Sequence, residues 1–483
     1  MDRALRKRRS WIGLVACVGL AQGAGAQAAP AVRPLAYTRF ELSNGLIALL
    51  NEDHTSPIVG VELLVHVGAK DETVGHTGLA HLCEHLMGEG SPNLAQDEKM
   101  LILSLGGVSR SGVPGGAIWG ATDEDRTHFW YTVPSNQLET ALWMEGDRFA
   151  TPLSKADEEH LKSVREVIRQ EHLQGRENAP QPQASANRIT LDQFYIGRDR
   201  HPRDPLGPMA DLDAATAADA KQFCAPYYVP NNIVLALSGD FTTARAEQMI
   251  RKYFGSIPRG VVPAHPSVAP VTFTQEKRLV VEDPRLRVPI LRMAWFGAGV
   301  SSPDRERLNA LAMALGDDRE GRLSKLLVYD RKLATSVAIN NIDMETAGVF
   351  QIDIRPRGDS SLTTIETVVD SVLKDLPSTP FTERNLLSFK RSTPVVAATS
   401  LQTRAARADT LAQSQTYAAD PDIYVKQAAH IARLTPAEVQ DAARRYLTSQ
   451  RVVMSIVPSG KLNLVSRPEL TFTNVTNWAK AER

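Results

Sequence analysis

The sequence has three cysteines and few aromatic residues, and its charges cancel. Its 483 residues include 55 Lys and Arg against 55 Asp and Glu, and aromatic side chains make up 6% of the total. A balanced charge without a basic stripe gives no indication of a nucleic-acid-binding surface. Beyond the N-terminus, no stretch reaches the roughly 18 apolar residues that a membrane-spanning helix needs. The chain is long enough for two or three domains with complete hydrophobic cores.

The N-terminus carries the pattern of a secretory signal. A basic stretch, Arg3–Arg9, precedes the apolar run Trp11–Ala21, and Ala24–Ala26 resembles a small-residue cleavage site. We therefore expect residues 1–26 to be a signal peptide and the mature chain to lie in a bacterial periplasm. Partial matches to a twin-arginine signal and to a lipoprotein box leave the signal type open. Because the apolar run continues past Cys17, ordinary cleavage is favoured over lipid attachment.

The most informative segment is residues 81–85, which read H-x-x-E-H. Helix residues three and four apart share one face, so His81, Glu84 and His85 are expected to point the same way. Two imidazoles at this spacing can hold Zn²⁺, and a carboxylate beside them can take a proton from the metal-bound water. Thr77 is the expected cap of this helix. The five-residue pattern alone leaves a metal site and an ordinary helix about equally open.

A zinc site of this kind needs a third protein ligand, and Glu171 is the best candidate. In the segment 157–171, Leu161, Val164 and Ile168 form an apolar stripe at helical spacing, and Glu171 is the next position on that stripe. An inward carboxylate needs a compensating partner, which a metal ion would supply. The alternative, that the helix ends there and Glu171 turns to solvent, stays open.

Motifs on both sides of the histidine pair resemble the pitrilysin family of zinc peptidases, which includes insulin-degrading enzyme and the mitochondrial processing peptidases. The resemblance is strong from about residue 38 to 260 and weaker to about 460, and it is carried by the segments 61–72, 78–85, 125–134, 164–171, 228–240 and 253–258. It implies that His81, His85 and Glu171 bind zinc and that Glu84 is the general base. The assignment from the residues alone agrees.

The same resemblance implies an α+β fold of two similar α/β-sandwich domains, forming half of a clam-shell chamber. We place a zinc-binding peptidase domain at residues 37–262 and a second pitrilysin-like domain at residues 273–460. A proline-rich stretch between them reads as a linker. Two strands around an Asn44-Gly45 turn are expected to open the first domain.

Four positions depart from the family pattern. Trp119 replaces an Asn that helps hold the substrate backbone, and it could pack on a substrate side chain or be an ordinary strand residue. Val164 stands where a further acidic residue is common. Val328 and Thr335 stand where related enzymes carry an Arg and a Tyr that bind substrate opposite the zinc. We therefore expect a related two-domain subunit to supply the substrate-binding half, with a homodimer as the alternative.

The two cysteines of the mature chain are Cys83 and Cys224. Cys83 lies between the two histidines, and on a helix it would point away from their face. We expect a core thiol there. Pairing with Cys224 in an oxidising compartment stays open, because the sequence does not give the distance between them.

The resulting hypothesis is a secreted or periplasmic zinc metalloendopeptidase that hydrolyses peptides or unfolded protein segments, as the catalytic subunit of a two-subunit chamber. A non-catalytic scaffold subunit is the alternative, and the intact set of expected zinc ligands counts against it. A metallohydrolase of another acyl substrate is the third reading, which only an assay separates from a peptidase.

Overall fold

The computed structural model describes residues 32–95, 119–174, 184–195, 204–266, 273–346 and 348–476. They contain two six-stranded sheets flanked by helices. The expected signal peptide lies outside the described residues. None of the helices in these ranges is both long and apolar enough to cross a membrane.

The first sheet has the strand order β1-β2-β8-β3-β7-β6. Neighbouring strands are antiparallel except β2 and β8, which are parallel. The expected Asn44-Gly45 turn joins β1 to β2, and Gly45 has the positive φ of 89° that such a turn favours. The strands are Thr38–Glu41 (β1), Ile47–Glu52 (β2), Ile58–Val65 (β3), Trp119–Thr122 (β6), Thr127–Pro134 (β7) and Ile233–Gly239 (β8), and a separate small hairpin pairs Gly90–Ser91 (β4) with Leu94–Ala95 (β5).

The second sheet repeats this topology, with the order β11-β12-β10-β13-β9-β14. Its parallel pairs are β9 with β13 and β9 with β14, and the other neighbours are antiparallel. Taken in order, β2, β3, β6, β7 and β8 correspond to β9, β10, β11, β12 and β13. This confirms the expectation of two similar α/β halves. The strands are Lys277–Asp283 (β9), Ile290–Gly297 (β10), Ala334–Asp343 (β11), Gly348–Pro356 (β12), Val452–Pro458 (β13) and Thr473–Asn474 (β14).

Helices cover both faces of each sheet. Those in the N-terminal part are Leu79–Gly88 (α1), Leu138–Ala150 (α2), Glu158–His172 (α3), Ala184–Tyr195 (α4), Met209–Ala214 (α5), Ala217–Cys224 (α6) and Thr243–Phe254 (α7). Those in the C-terminal part are Arg305–Gly316 (α8), Arg322–Ser324 (α9), Leu362–Asp375 (α10), Glu383–Ser400 (α11), Arg404–Ala418 (α12), Ile423–Arg433 (α13) and Pro436–Tyr446 (α14).

One face of the first sheet forms the core that positions the histidine pair. Val61, Leu63 and Val65 of β3 belong to one buried cluster with Leu82 and Leu86 of α1. The apolar stripe of α3 belongs to the same cluster. Because α1 and α3 share this core, the side chains that α1 and α3 do not bury in it can meet at one edge.

Each half lends a helix to the sheet of the other half. From the C-terminal part, α12 packs on the outer face of the first sheet through Ala408, Leu411 and Ala412. The backbones approach closely there, because a Cβ on Gly60 would lie 2.5 Å from the amide nitrogen of Ala405. From the N-terminal part, α4 packs on the second sheet through residues that include Phe194. This exchange of helices could not be predicted from the sequence.

Charged groups also join the two halves. Lys70 is almost fully buried and pairs with Glu345, whose carboxylate also lies 2.9 Å from His66 Nε2. Arg126 Nη1, in the turn between β6 and β7, lies 2.5 Å from Asp409 Oδ1 on α12. The pair of Lys70 with Glu345 is the more buried of the two, so removing Glu345 would leave a costly buried charge on Lys70.

Cys83 and Cys224 form a disulfide, so the expectation of a free core thiol at Cys83 is wrong. Their Cα atoms lie 6.0 Å apart, which is within the usual range for a disulfide. Both residues are fully buried. The bridge ties the back of α1 to the end of α6 across a sequence separation of 141 residues. Such a distance cannot be read from spacing, which is why the sequence left it open.

We expect the variant Cys83→Ala/Cys224→Ala to be less stable than the oxidised protein by about 2–5 kcal/mol, because the bridge restricts the unfolded chain. Denaturant unfolding of both proteins measures this difference. A reductant should lower the stability of the native protein and leave the variant unchanged. Equal free energies of unfolding, or two free thiols in the unfolded and unreduced protein, would contradict the prediction.

Candidate metal centre

A buried carboxylate fixes the start of α1. Glu72 is fully buried and accepts hydrogen bonds from the amide nitrogens of Gly78 at 2.9 Å and Ala80 at 2.7 Å. These amides would otherwise lack partners at the helix N-terminus. The Thr77 hydroxyl instead donates to Asp211 Oδ2 at 2.6 Å, so the expectation that Thr77 caps the helix is wrong. Burial raises the pKa of Glu72 well above its ordinary value, although the two amide hydrogen bonds oppose that shift.

The three expected zinc ligands come together at one point. His81 Nε2 and His85 Nε2 lie 3.1 Å apart, and Glu171 Oε2 lies 3.4 Å from the first and 3.3 Å from the second. Three ligands at bonds of about 2.0–2.1 Å in a tetrahedral zinc site would be separated by roughly 3.4 Å. The residues present therefore fit a zinc ion. The carboxylate of Glu171 faces the histidines while its side chain stays 42% exposed, so one side of the cluster is open.

The Glu84 carboxylate lies beside this cluster, with Oε2 at 4.0 Å from His81 Nε2. The Thr122 hydroxyl on β6 donates a hydrogen bond of 2.8 Å to the same oxygen. Gly120, also on β6, leaves room for the carboxylate, because a Cβ there would lie 2.5 Å from Glu84 Oε1. Sequence reasoning missed both positioning residues. The signal that could have found them is the short run of residues 120–122, directly after Trp119.

Burial and proximity shift the protonation of the cluster. Burial and the neighbouring His85 lower the pKa of His81 to about 4, which leaves its imidazole neutral. Burial also acts to lower the pKa of His85, but the hydrogen bond to Glu171 and the charge of Glu84 outweigh it and raise that pKa. Burial raises the pKa of Glu84 against opposing contributions from His85 and Thr122. The hydrogen bond with His85 lowers the pKa of Glu171, although partial burial opposes it. A neutral imidazole and an ionised carboxylate are the forms that bind metal.

One ring nitrogen in the cluster is unsupported. A metal-binding histidine usually donates its other ring N–H to a carboxylate or a carbonyl. Within the described part of the chain, the buried Nδ1 of His81 has no hydrogen-bond partner. Val164, the position at which relatives often carry an acid, is buried in the apolar core. The orientation of the His81 ring therefore depends on packing.

The other departures from the family pattern lie on strands and near the second core. Trp119 begins β6 and is paired in register with Trp130 of β7. Val328 is partly buried against the core of the second half. Thr335 is exposed at the start of β11, and its hydroxyl donates to the carbonyl oxygen of Arg355 at 3.3 Å. Neither Val328 nor Thr335 provides a guanidinium or a phenol.

Two family models match this chain. The model described as "Insulinase (Peptidase family M16)" covers residues 47–190, and the model described as "Peptidase M16 inactive domain" covers residues 214–392. The zinc protease PqqE of Helicobacter pylori is 24% identical over 319 residues, which are 64% of this chain and 67% of that protein. An insulin-degrading enzyme homolog of Dictyostelium discoideum is 23% identical over 382 residues, and the match covers 74% of this chain but 37% of that protein.

Solved structures share the fold. A protease from Helicobacter pylori superposes with a TM-score of 0.76 at 20% identity, covering 88% of this chain and 100% of the other. The first half of the periplasmic protease PqqL from Escherichia coli gives a TM-score of 0.71 at 16% identity, and the match covers 89% of this chain and 93% of that structure. Pitrilysin gives a TM-score of 0.73 at 20% identity. That match covers 89% of this chain but only 46% of the pitrilysin chain. This protein therefore belongs to the pitrilysin family of zinc peptidases, peptidase family M16, and has the two-domain fold of half a chamber.

Proposed function

We propose that this chain is a zinc metalloendopeptidase that cleaves peptides or unfolded protein segments. The support is the convergence of His81 Nε2, His85 Nε2 and Glu171 Oε2, at separations of 3.1–3.4 Å, with the Glu84 carboxylate beside them. Three protein ligands and one open side are typical of catalytic zinc sites. When bound there, zinc would acidify a water molecule and polarise the carbonyl group of the substrate.

In this proposal Glu84 moves protons. Its carboxylate takes a proton from the attacking water and later gives it to the leaving amine. The Thr122 hydrogen bond of 2.8 Å and the close contact with Gly120 fix the carboxylate in place. Its burial excludes most bulk water, which strengthens the electrostatic interactions on which proton transfer depends.

We propose that the substrate backbone binds along the edge strand β6. It ends the first sheet, and within the described residues no strand pairs with its outer side. An extended peptide can add to such an edge through main-chain hydrogen bonds. Because Gly120 and Thr122 of β6 touch Glu84, a peptide on this edge would pass the metal centre. Only an unfolded or flexible segment can adopt this extended form.

A non-catalytic subunit is the alternative function, suggested by the match to a model named for an inactive domain. That match covers residues 214–392, whereas all four residues of the proposed site lie within residues 47–190, which the other model covers. The position of the matches therefore favours the catalytic role. An assay against other acyl substrates would separate a peptidase from a different metallohydrolase.

We also propose a periplasmic location and a related partner subunit. The location is supported by the signal-like N-terminus and by the similarity to the periplasmic PqqL. The partner is supported by the coverage of complete PqqL, because the chain matches only 48% of its length. It is supported further by Val328 and Thr335, which leave this chain without the substrate-binding Arg and Tyr. A homodimer could enclose a chamber, but its opposite wall would lack those groups.

We expect the purified mature chain to contain about one zinc ion, measured by elemental analysis. His85→Ala and Glu171→Ala should lower the affinity for zinc by more than the 10–100-fold typical of losing an outer-shell partner. Glu166→Ala is the matched control, because Glu166 lies on the same helix and its exposed carboxylate contacts Gln170 and Arg169 rather than the histidines. Full zinc occupancy in Glu171→Gln would exclude Glu171 as the third ligand.

Glu84→Gln should retain zinc and lose peptide cleavage by about 10²–10⁴-fold or more, because an amide cannot accept the proton. Cleavage of an unfolded peptide and zinc content are measured on the same preparation. If the variant with its zinc bound cleaves at the native rate, Glu84 is not the general base.

The chain alone should cleave slowly, because positioning of the substrate supplies a large part of the rate and this chain lacks the opposing Arg and Tyr. Activity is measured with and without a related two-domain chain encoded beside it that carries those two residues. Full activity of the chain alone, unchanged by the second chain, would contradict the heterodimer and favour a homodimer.

A further inference from the structure

A buried carboxylate in the second half faces two adjoining cavities. The cavities have volumes of about 560 Å³ and 360 Å³, and they share Arg305, Glu306, Thr410 and Gln427 in their walls. None of the residues of the metal centre lines either cavity. Together they form a groove between α8, α11, α12 and α13, large enough for an extended side chain or a small ligand.

The charge of Glu306 is poorly compensated by the protein. Its side chain is only 7% exposed, and its one ion-pair partner in the described part of the chain is His430, whose Nδ1 lies 3.8 Å away. That distance is too long for a hydrogen bond. The adjacent Arg305 already pairs with Asp343 on β11, so its charge is satisfied elsewhere. The N-terminus of α8 supplies a partial positive charge, but a buried carboxylate remains costly without a hydrogen-bonded cation.

The walls of the smaller cavity are mainly apolar, whereas those of the larger cavity mix apolar side chains with polar ones such as Ser301, Gln413 and Ser414. Val300, Pro303 and Ile423 line the larger cavity, and Phe389, Val396 and Ile431 line the smaller one. An apolar channel that leads to one buried carboxylate is complementary to a cation at the end of an aliphatic stem. The side chains of lysine and arginine have this form, with a methylene stem and a charged tip.

We propose that this groove binds a primary ammonium or a guanidinium group carried on an apolar stem, with Glu306 as the counter-ion. The ligand class is the lysine or arginine side chain, or the free amino terminus, of a peptide. The cation donates to the Glu306 carboxylate the hydrogen bond that the protein does not supply, and the stem covers the apolar walls. This site does not depend on the catalytic role proposed above, and its ligand need not be cleaved.

The test uses the full mature chain and three probes that share a six-carbon alkyl chain: hexylammonium, hexylguanidinium and 1-hexanol. Binding is measured by calorimetry and by saturation-transfer NMR. We expect both cations to bind and hexanol to bind at least about tenfold more weakly, since only the cations can form a charge-assisted hydrogen bond. Glu306→Gln should weaken cation binding by a similar factor. The control Glu383→Gln, which removes an exposed carboxylate paired with Lys390 on α11, should leave binding unchanged.

A second variant separates loss of the site from loss of the fold. Ala397→Leu narrows the smaller cavity without touching Glu306, and it should reduce binding of the six-carbon probes while the melting temperature shows that the chain remains folded. Nα-acetyl-lysine methylamide and leucine methylamide then distinguish a side-chain amine from an amino terminus.

Several outcomes would overturn the proposal. Hexanol binding as tightly as the cations would show that the carboxylate plays no part. Unchanged binding in folded Glu306→Gln, or no saturable binding at about 10 mM probe, would show that the groove is not this site. Sodium ions that compete as well as hexylammonium would indicate a simple cation site without a role for the stem.

Discussion

The first amide groups of α1 are buried and need hydrogen-bond acceptors from the protein instead of water. The position of the metal centre depends on these hydrogen bonds, because they fix where α1 begins. Glu72 accepts hydrogen bonds from two of them, the amides of Gly78 and Ala80, and so satisfies donors that the helix itself leaves unpaired. The disulfide of Cys83 holds the opposite side of the same helix to α6. Fixed at its start and at its back, α1 can present His81, Glu84 and His85 on its remaining face with little freedom of orientation.

In the metal centre, burial disfavours charged side chains, while the close histidines and carboxylates favour opposite charges on one another. The two imidazole rings are too close and too dry to be protonated together, and the carboxylates of Glu84 and Glu171 share the same small volume. Glu171 remains partly exposed, so the cluster opens to solvent on the side of this carboxylate. Apolar side chains of α1, α3 and β3 share one buried cluster, which holds the two helices in place beside the sheet. Such packing is indifferent to protonation.

Sequence reasoning succeeded where the relevant distances are set by a single helix. His81, Glu84 and His85 lie on one face because of helix geometry, and the stripe of α3 carried Glu171 to the same place. It failed where partners are remote or where several acceptors compete. Thr77 was the expected cap, yet the buried Glu72 accepts the hydrogen bonds of the first helix amides, and the Thr77 hydroxyl donates to Asp211 instead. An amphipathic helix also does not encode which of two similar sheets it covers, which is why the placement of α4 and α12 could not be predicted.

The exchange of α4 and α12 has a mechanical consequence. The chain passes repeatedly between the two halves, and the described residues form one compact unit. Separating the halves would require peeling α4 from the second sheet and α12 from the first, which would expose the buried apolar surface on both. The packing of these two helices therefore opposes movement of one half relative to the other. In the proposed two-subunit chamber, an opening wide enough to admit a polypeptide would therefore have to form between this chain and its partner.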